Sequence, residues 1–289
     1  MRLVIGYLAT PSGRDGLALG VLLARTYSAE INICLVLDDF RPAPSKGGVE
    51  VDYDPVVIAQ AEKWLADAAA DVPDDVVVHT HLLRSESQSA GLNAAAADLG
   101  ADLLVLGAAG DGLVSRHSIG TVSNALLHSA TVPLALAPRG FRHSTSAHLR
   151  EVTCAVGSAP TSTRLLASAT ELAADADLPL RLLSLAAIDN AARGFTDADL
   201  TARQQNVAEA NAALAAARDE LGPDAEVSVL VGEGSTIEDA ARLLEWHDGD
   251  VLVLGSSRIA QPGSLFIGST ATRVLRVVPV PIIVVPKEA

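Results

Sequence analysis

Four residues near the middle of the chain have the types and the spacing of a phosphate-binding turn. Gly107 ends an apolar, strand-like run, Gly110 follows three residues later, and Gly120 and Thr121 stand where a helix begins. Glycine lets a ligand approach the backbone closely, and Thr121 is positioned to cap the free amides of the helix. A phosphate at this turn would meet backbone N–H donors and the positive end of the helix dipole.

The segment between these glycines adds two side chains that suit the same ligand. Arg116 and His117 are candidates to contact a phosphate or a ribose edge. The alternative interpretation is that the glycines serve only the geometry of a strand-to-helix turn. The full spacing, together with the helix and the strand that follow it, favours ligand binding.

The same pattern recurs in the second half of the chain, offset by 148 residues. Gly255, Gly268 and Ser269 repeat the frame, but Arg258 replaces the second glycine. An arginine at this position either grips a phosphate directly or fills the space that a ligand needs. We favour the second interpretation, because the position requires close approach of the backbone. The sequence therefore predicts one ligand site, in the first half.

The elements that must position these turns also occur twice. Predicted strands cover 3–8, 31–37, 76–83, 103–106 and 134–137, then 152–156, 178–185, 227–231, 251–254 and 282–285. Predicted helices follow the turn at 9–13 and cover 55–70, 87–99, a segment from 121, 162–174, 197–221 and 236–246. Alternating strands and helices predict crossover connections and parallel sheets. We therefore predict an α/β fold of two tandem Rossmann-like domains, each a five-stranded parallel sheet with helices on both faces. The predicted boundaries are 1–140 and 149–289, with a linker at 141–148.

Composition and charge limit the partners of the chain. Hydrophobic residues make up 49% but aromatic residues only 3%, so small aliphatic side chains must build the cores. The net charge is −14 without a Lys/Arg cluster, so the basic footprint that nucleic-acid binding needs is missing. No apolar run approaches the roughly 20 residues of a membrane helix, and the amino terminus lacks a signal-peptide layout. Cys34 and Cys154 lie in apolar strands as core residues, and we predict a cytoplasmic protein.

Other polar residues carry weaker signals. His79 and His81 alternate on a predicted strand and face the same way, but no further ligands stand out, so we predict no metal site. The aspartates within residues 38–54 are interpreted as a solvated acidic loop, with a magnesium role as the alternative. Neither a nucleophile elbow nor a Gly-Lys-Ser/Thr phosphate loop occurs. We therefore predict no catalytic residues and no enzyme.

Through the full motif at Gly107, Gly110, Gly120 and Thr121, the sequence resembles the universal stress protein family, in its tandem form with two domains in one chain. The resemblance covers essentially the whole length. It implies an adenine nucleotide alpha hydrolase-like fold in which these four residues surround the ribose and phosphates of ATP.

The resemblance also implies a place for the base and a role for the protein. The backbone around Val36 and Leu37 would border the adenine. ATP-binding members of the family act as regulators under stress or growth arrest with little or no turnover, whereas members with degenerate sites bind no nucleotide. ATP is therefore the implied cofactor, with a need for Mg²⁺ left open.

The chain departs from the family pattern after the first strand of each half. ATP-binding members carry an aspartate there, where this chain has Leu8 and Gly157. The lost hydrogen bonds would cost about 1–3 kcal/mol per contact, or roughly one to two decades of affinity. The leading hypothesis is an ATP-binding, non-catalytic stress regulator, and the alternative is a nucleotide-free, dimerising interaction module. A third hypothesis, an adenylylating enzyme, needs a Ser-Gly-Gly loop that is absent after strand one.

The last strand of each half is a candidate for pairing the two domains. Residues 132–138 and 280–286 have the apolar character of such strands, and prolines at their ends limit uncontrolled edge pairing. A tandem chain satisfies this pairing internally or dimerises further, and the sequence leaves both open.

Overall fold

Strands and helices alternate along the chain in two successive units. The computed structural model describes residues 1–38, 55–108, 120–157, 162–187, 197–223, 225–257 and 260–287. The strands are β1 Arg2–Gly6, β2 Glu30–Asp38, β3 Val78–Ser85, β4 Leu103–Gly107, β5 Leu134–Ala137, β6 Glu151–Ala155, β7 Leu180–Ala187, β8 Val227–Gly234, β9 Asp250–Gly255 and β10 Ile282–Val285. The α-helices are α1 Pro11–Tyr27, α2 Pro55–Ala70, α3 Gln88–Asp98, α4 Thr121–Leu126, α5 Thr163–Ala174, α6 Asp197–Leu221, α7 Ile237–Arg242 and α8 Ser269–Leu275. We call β1–β5 with α1–α4 the first unit, and β6–β10 with α5–α8 the second unit.

The strands of the described residues form one ten-stranded sheet in the order β3-β2-β1-β4-β5-β10-β9-β6-β7-β8. Pairing is parallel within each unit, and the strand order reverses between β1 and β4 and between β6 and β9. The two units join where β10 pairs with β5 antiparallel, with Ile283 opposite Ala135. The predicted α/β class and the pairing of the last strands are confirmed.

The sheet is buried on both faces by two separate apolar layers. Side chains that alternate along each strand enter opposite layers, so that Ile5 and Val105 face α1 and α2 while Leu104 and Leu106 face α3 and α4. This double burial explains why the strands are continuous apolar runs, as expected for parallel strands covered by helices. In the part of the chain that the structure describes, the helices are too short or too polar to cross a membrane.

Two helix boundaries differ from the sequence prediction. The predicted turn at 9–13 is largely the start of α1, since Thr10 is the N-cap and accepts a hydrogen bond from Gly13 N at 3.1 Å. In the second unit, the helix predicted over 236–246 ends at Arg242. The indole N–H of Trp246 donates to the carbonyl of Ala241 at 3.1 Å and so takes an acceptor that the next helical turn would use.

The segment between the units is held by one carboxylate from each unit, the buried Asp15 and the exposed Asp248. Asp15 in α1 accepts hydrogen bonds from the backbone of Gly140 and Arg142, and from the Arg142 guanidinium. Asp248 of the second unit accepts from Ser144 Oγ at 2.7 Å and from the backbone of Thr145 at 3.0 Å. The predicted linker thus contacts both units and contains a short 3₁₀ turn at Phe141–His143. The domain boundaries themselves stay a prediction.

The loop between β9 and α8 packs against the first unit. Leu265 N donates to the carbonyl of Ala130 at 2.9 Å, and the rings of His128 and Phe266 meet edge to face with centroids 4.8 Å apart. Leu265 itself is 1% exposed. This loop is therefore part of the seam between the units.

Close contact between α1 and the end of β4 depends on Gly107. A Cβ atom on this residue would lie 1.7 Å from the carbonyl oxygen of Ser12, in the first turn of α1. Backbone atoms of another element cannot yield as a flexible side chain does. The glycine therefore sets how near the helix can come to the strand.

The seam predicts a large loss of stability for one core substitution. Leu265→Ala is expected to lower the free energy of unfolding by about 2–5 kcal/mol, because it leaves a cavity at a buried contact between the units. The control Leu243→Ala, at a side chain that is 75% exposed, is expected to change it by less than about 0.5 kcal/mol. Urea denaturation measures both, and equal losses would show that the loop does not carry the seam.

The two strand-end glycines are expected to differ when a methyl group is added. Gly107→Ala should destabilise the protein by about 1–3 kcal/mol or more, since α1 must move away from β4. Gly255→Ala is the matched control, because its nearest contact would be the flexible end of Leu165 at 3.1 Å. Melting temperatures of the two variants test this, and a greater loss for Gly255→Ala would contradict the packing argument.

Candidate functional site

A cavity of about 620 Å³ lies at the carboxyl ends of β1 and β4, where the strand order of the first unit reverses. This is the position at which open parallel sheets bind ligands. Gly6 and Gly107 end the two strands at its floor. The first turns of α1, α3 and α4 and the segment after β5 complete the lining. We call this space the first-unit cavity.

The connection from β1 to α1 forms one wall of the first-unit cavity. Tyr7 N continues the sheet pairing with a hydrogen bond to the carbonyl of Cys34 at 2.9 Å, and Thr10 N donates to the carbonyl of Leu8 at 2.7 Å. The Leu8 side chain is 38% exposed beside the cavity. An apolar side chain therefore occupies the wall on which the family resemblance places a carboxylate.

The wall opposite α1 is apolar, whereas the rims are polar. Val36, Leu92 and Leu106 come from β2, α3 and β4 and belong to one buried layer. Hydroxyl and amide groups at the starts of three helices also line the cavity: Thr10, Ser12, Gln88, Thr121 and Ser123. This distribution suits a ligand with a flat apolar part and a polar or charged part.

The structure brings three of the predicted site residues together in the first-unit cavity, namely Val36, Gly107 and Thr121. Leu37 lies on the opposite face of the sheet, packed against the other buried layer, because adjacent strand residues point in opposite directions. Gly120 adjoins the lining as the N-cap residue of α4.

The predicted capping role of Thr121 is wrong. Gly120 occupies the N-cap position of α4 with extended backbone angles, and no side chain caps the helix there. Thr121 is already the first helical residue, so its hydroxyl is not placed where an N-cap side chain sits. Thr121 is instead one of the residues that line the cavity.

Four predicted site residues lie outside the described residues: Gly110, Arg116, His117 and Arg258. Their roles stay predictions. In the second unit, Gly255 ends β9, and Gly268 and Ser269 begin α8 in the same order as their counterparts.

Two hydrogen bonds of the second unit involve described residues of the loop between β9 and α8. Ser257 N donates to the carbonyl of Phe266 at 2.7 Å, and Lys287 Nζ donates to the carbonyl of Ala260 at 3.2 Å. Together with the contact from Leu265 to the first unit, these bonds hold the described part of the loop against its neighbours in both units.

The ionisable groups around the first-unit cavity include a thiol, a phenol, one carboxylate and two guanidinium groups. Burial raises the pKa of the Cys34 thiol to about 12, and burial also raises the pKa of the Tyr7 hydroxyl. Both groups therefore stay protonated at neutral pH. Asp15 is the one carboxylate among the described lining residues, and Arg139 and Arg142 bring two positive charges.

Asp15, Arg139 and Arg142 line the cavity, although no pattern in the sequence predicted them as site residues. One feature of the sequence points to Asp15, because this residue lies among the apolar positions of α1. In the structure Asp15 is 1% exposed. The two arginines follow the last strand of the first unit, Arg139 at the end of the predicted first domain and Arg142 in the predicted linker at 141–148. Only the fold brings that segment back to α1.

The two histidines of β3 do not belong to this cavity. His81 Nε2 hydrogen bonds with Asn32 Oδ1 at 2.9 Å, while His79 is exposed. Burial and the neighbouring His79 lower the pKa of His81. No group of three metal-ligating side chains occurs among the described residues.

Comparison with known proteins matches both units to one family. The model of the universal stress protein family matches residues 1–138 and again 148–286. Universal stress proteins of Mycobacterium tuberculosis H37Rv and of Mycobacterium bovis are each 29% identical to this chain over 304 residues. Each alignment covers 99% of this chain and all of the relative.

Solved structures share the fold over nearly the whole chain. A universal stress protein from Archaeoglobus fulgidus is 17% identical with a TM-score of 0.66, covering 99% of this chain and 98% of that one. A functionally unknown protein from Pseudomonas aeruginosa is 16% identical with a TM-score of 0.58, covering 99% and 92%. With two family matches joined in one sheet, the chain belongs to the universal stress protein family and carries its domain in tandem.

Proposed function

We propose that the protein binds an adenine nucleotide, ATP, in the first-unit cavity and acts as a non-catalytic regulator under stress or growth arrest. One observation carries the proposal: Val36, Gly107 and Thr121, chosen from the sequence, line a single cavity at the strand-order reversal. We also propose a cytoplasmic location, where the buried thiols of Cys34 and Cys154 stay reduced.

The size and the lining of the cavity support a nucleotide as the ligand. Its volume of about 620 Å³ falls in the range of roughly 300–1,000 Å³ that small-molecule sites occupy. The apolar wall of Val36, Leu92 and Leu106 suits a purine base. The hydroxyl groups of Thr10 and Ser12 suit the ribose or phosphates.

The chemistry of the lining supports binding without turnover. Its described residues include no histidine, glutamate or lysine, and Asp15 already accepts three hydrogen bonds. The raised pKa of Cys34 keeps the thiol from acting as a nucleophile. These residues offer no general base and no magnesium cluster, which leaves a need for Mg²⁺ to be decided by experiment.

The second unit supports the proposal of a single site. The contacts of Leu265 and Phe266 with the first unit occupy the loop whose counterpart would hold phosphates. Opening it for a ligand would break a buried contact between the units.

A nucleotide-free interaction module, dimerising through the same fold, is the second candidate. The apolar Leu8 on the cavity wall favours it, because the carboxylate of ATP-binding relatives in the family is replaced. The two candidates differ in whether ATP stabilises the protein.

Binding of ATP is expected to raise the melting temperature of the full chain. At ATP about 100-fold above its dissociation constant, the folded state gains about 2.7 kcal/mol. Thr121→Trp should abolish this gain, since an indole at the exposed first residue of α4 occupies the cavity. Ser269→Trp, the equivalent change at α8, should leave it intact. Absence of any shift at millimolar ATP in the unmodified chain would favour the nucleotide-free module.

Restoring the missing carboxylate is expected to tighten binding. Leu8→Asp should lower the dissociation constant for ATP roughly tenfold or more, since a hydrogen-bonding carboxylate returns to the cavity wall. Gly157→Asp makes the same change in the second unit and should leave the affinity unchanged. Isothermal titration calorimetry measures both. An equal gain from Gly157→Asp would show that the second unit also binds.

A further inference from the structure

The segment between the two units forms part of the first-unit cavity and brings its positive charge. Arg139 and Arg142 both line the cavity, against a single carboxylate, Asp15, among the described lining residues. The chain as a whole carries a net charge of −14. Two guanidinium groups at one cavity of an acidic protein favour an anionic ligand group.

Asp15 holds this segment against the cavity. Its carboxylate is buried and accepts from Gly140 N at 2.9 Å, from Arg142 N at 2.9 Å and from Arg142 Nη1 at 3.0 Å. A buried carboxylate needs such partners, so the three bonds fix the segment on α1.

Arg142 keeps further hydrogen-bonding capacity. Within the described part of the chain, Nη1 is its one guanidinium nitrogen with a hydrogen bond, and the side chain remains 32% exposed. A guanidinium has several N–H donors in a fixed plane. Arg142 can therefore hold Asp15 and still bind a phosphate oxygen.

The second unit does not repeat this arrangement. The first strands of the two units, β1 and β6, are offset by 149 residues, and at this offset Arg164 stands at the position of Asp15. At the offset of 148 residues that relates the glycine motifs, Lys287 stands at the position of Arg139. Lys287 Nζ donates to the carbonyl of Ala260 in the loop between β9 and α8.

We propose that Arg139 and Arg142 bind the polyphosphate group of the ligand, with Asp15 as the residue that positions them. This inference rests on the proposed nucleotide site and extends it, because it assigns the anion contacts to the segment between the units. Specificity for a charged ligand then depends on residues outside the glycine motif.

Three ligands separate the contributions of base and phosphate. Calorimetric titration of the full chain with ATP, adenosine and inorganic tripolyphosphate measures each affinity. Arg139→Gln and Arg142→Gln should each weaken binding of ATP and of tripolyphosphate roughly tenfold or more. Adenosine affinity should change less than about twofold, because adenosine carries no phosphate.

Arg276→Gln is the control for removal of one positive charge. Arg276 is exposed at the end of α8 and does not line the cavity, so all three affinities should stay unchanged. Melting curves without ligand show whether each variant is folded. Arg139→Gln leaves the bonds of Asp15 in place and therefore tests the proposal even if Arg142→Gln is unstable.

Asp15→Asn tests the positioning role by the ratio of ATP to adenosine affinity. The ratio should fall, because the segment loses its charged anchor while the apolar wall is unchanged. In an Arg142→Gln background, the same change should have a smaller effect. A general loss of structure would lower both affinities together.

The outcomes distinguish this inference from the proposed function. ATP binding that is unaffected by either arginine variant, or equal losses for ATP and adenosine, would overturn the inference and leave the nucleotide site standing. Binding of tripolyphosphate without adenosine would support the arginines but contradict the nucleotide proposal. Failure of the unmodified chain to bind any of the three would overturn both.

Discussion

The antiparallel pairing of β5 with β10 is the contact on which the architecture depends. Each unit alone would leave a strand edge open beside buried side chains. Joining the edges through pairs such as Ile283 and Ala135 makes one continuous sheet with an apolar layer on each face. Among the residues that the structure describes, β3 and β8 then form the two edges of the combined sheet. The seam also places the β9–α8 loop against the first unit, so that any movement of this loop would disturb the contact between the units.

The first-unit cavity results from the same rules of parallel sheets. Strand order reverses between β1 and β4, so that their connections leave in opposite directions and open a crevice between them. Gly107 narrows the gap between α1 and β4, and α3 supplies the apolar wall. Gly107 thus determines both the packing of α1 on β4 and the shape of the cavity. A role in the geometry of the turn and a role in a ligand site are therefore compatible.

Local patterns predicted most of the strands and the place of the cavity, whereas contacts distant in sequence stayed hidden. The limits of β5 and α6 follow from apolar runs and composition, and their predicted bounds agree with the structure. The start of α1 was missed because Thr10 and Pro11 fit a turn as well as a helix N-terminus. Alternation shows that Val36 and Leu37 face opposite ways, but only the packed helices decide which of them meets the cavity. The bond between Asp15 and Arg142 joins residues 127 positions apart, and no local pattern announces it.

Covalent connection of the units has a consequence for how they can differ. In a symmetric homodimer, every substitution appears on both sides of the interface. Here the segment fixed by Asp15 and Asp248 keeps each unit beside the same, non-identical partner at a high effective concentration. A substitution in the loop of one unit therefore alters a contact with the other unit once, and is not repeated on the opposite side. The first half can therefore keep an open cavity while the corresponding loop of the second half packs against the first unit. Two identical subunits cannot differ in this way.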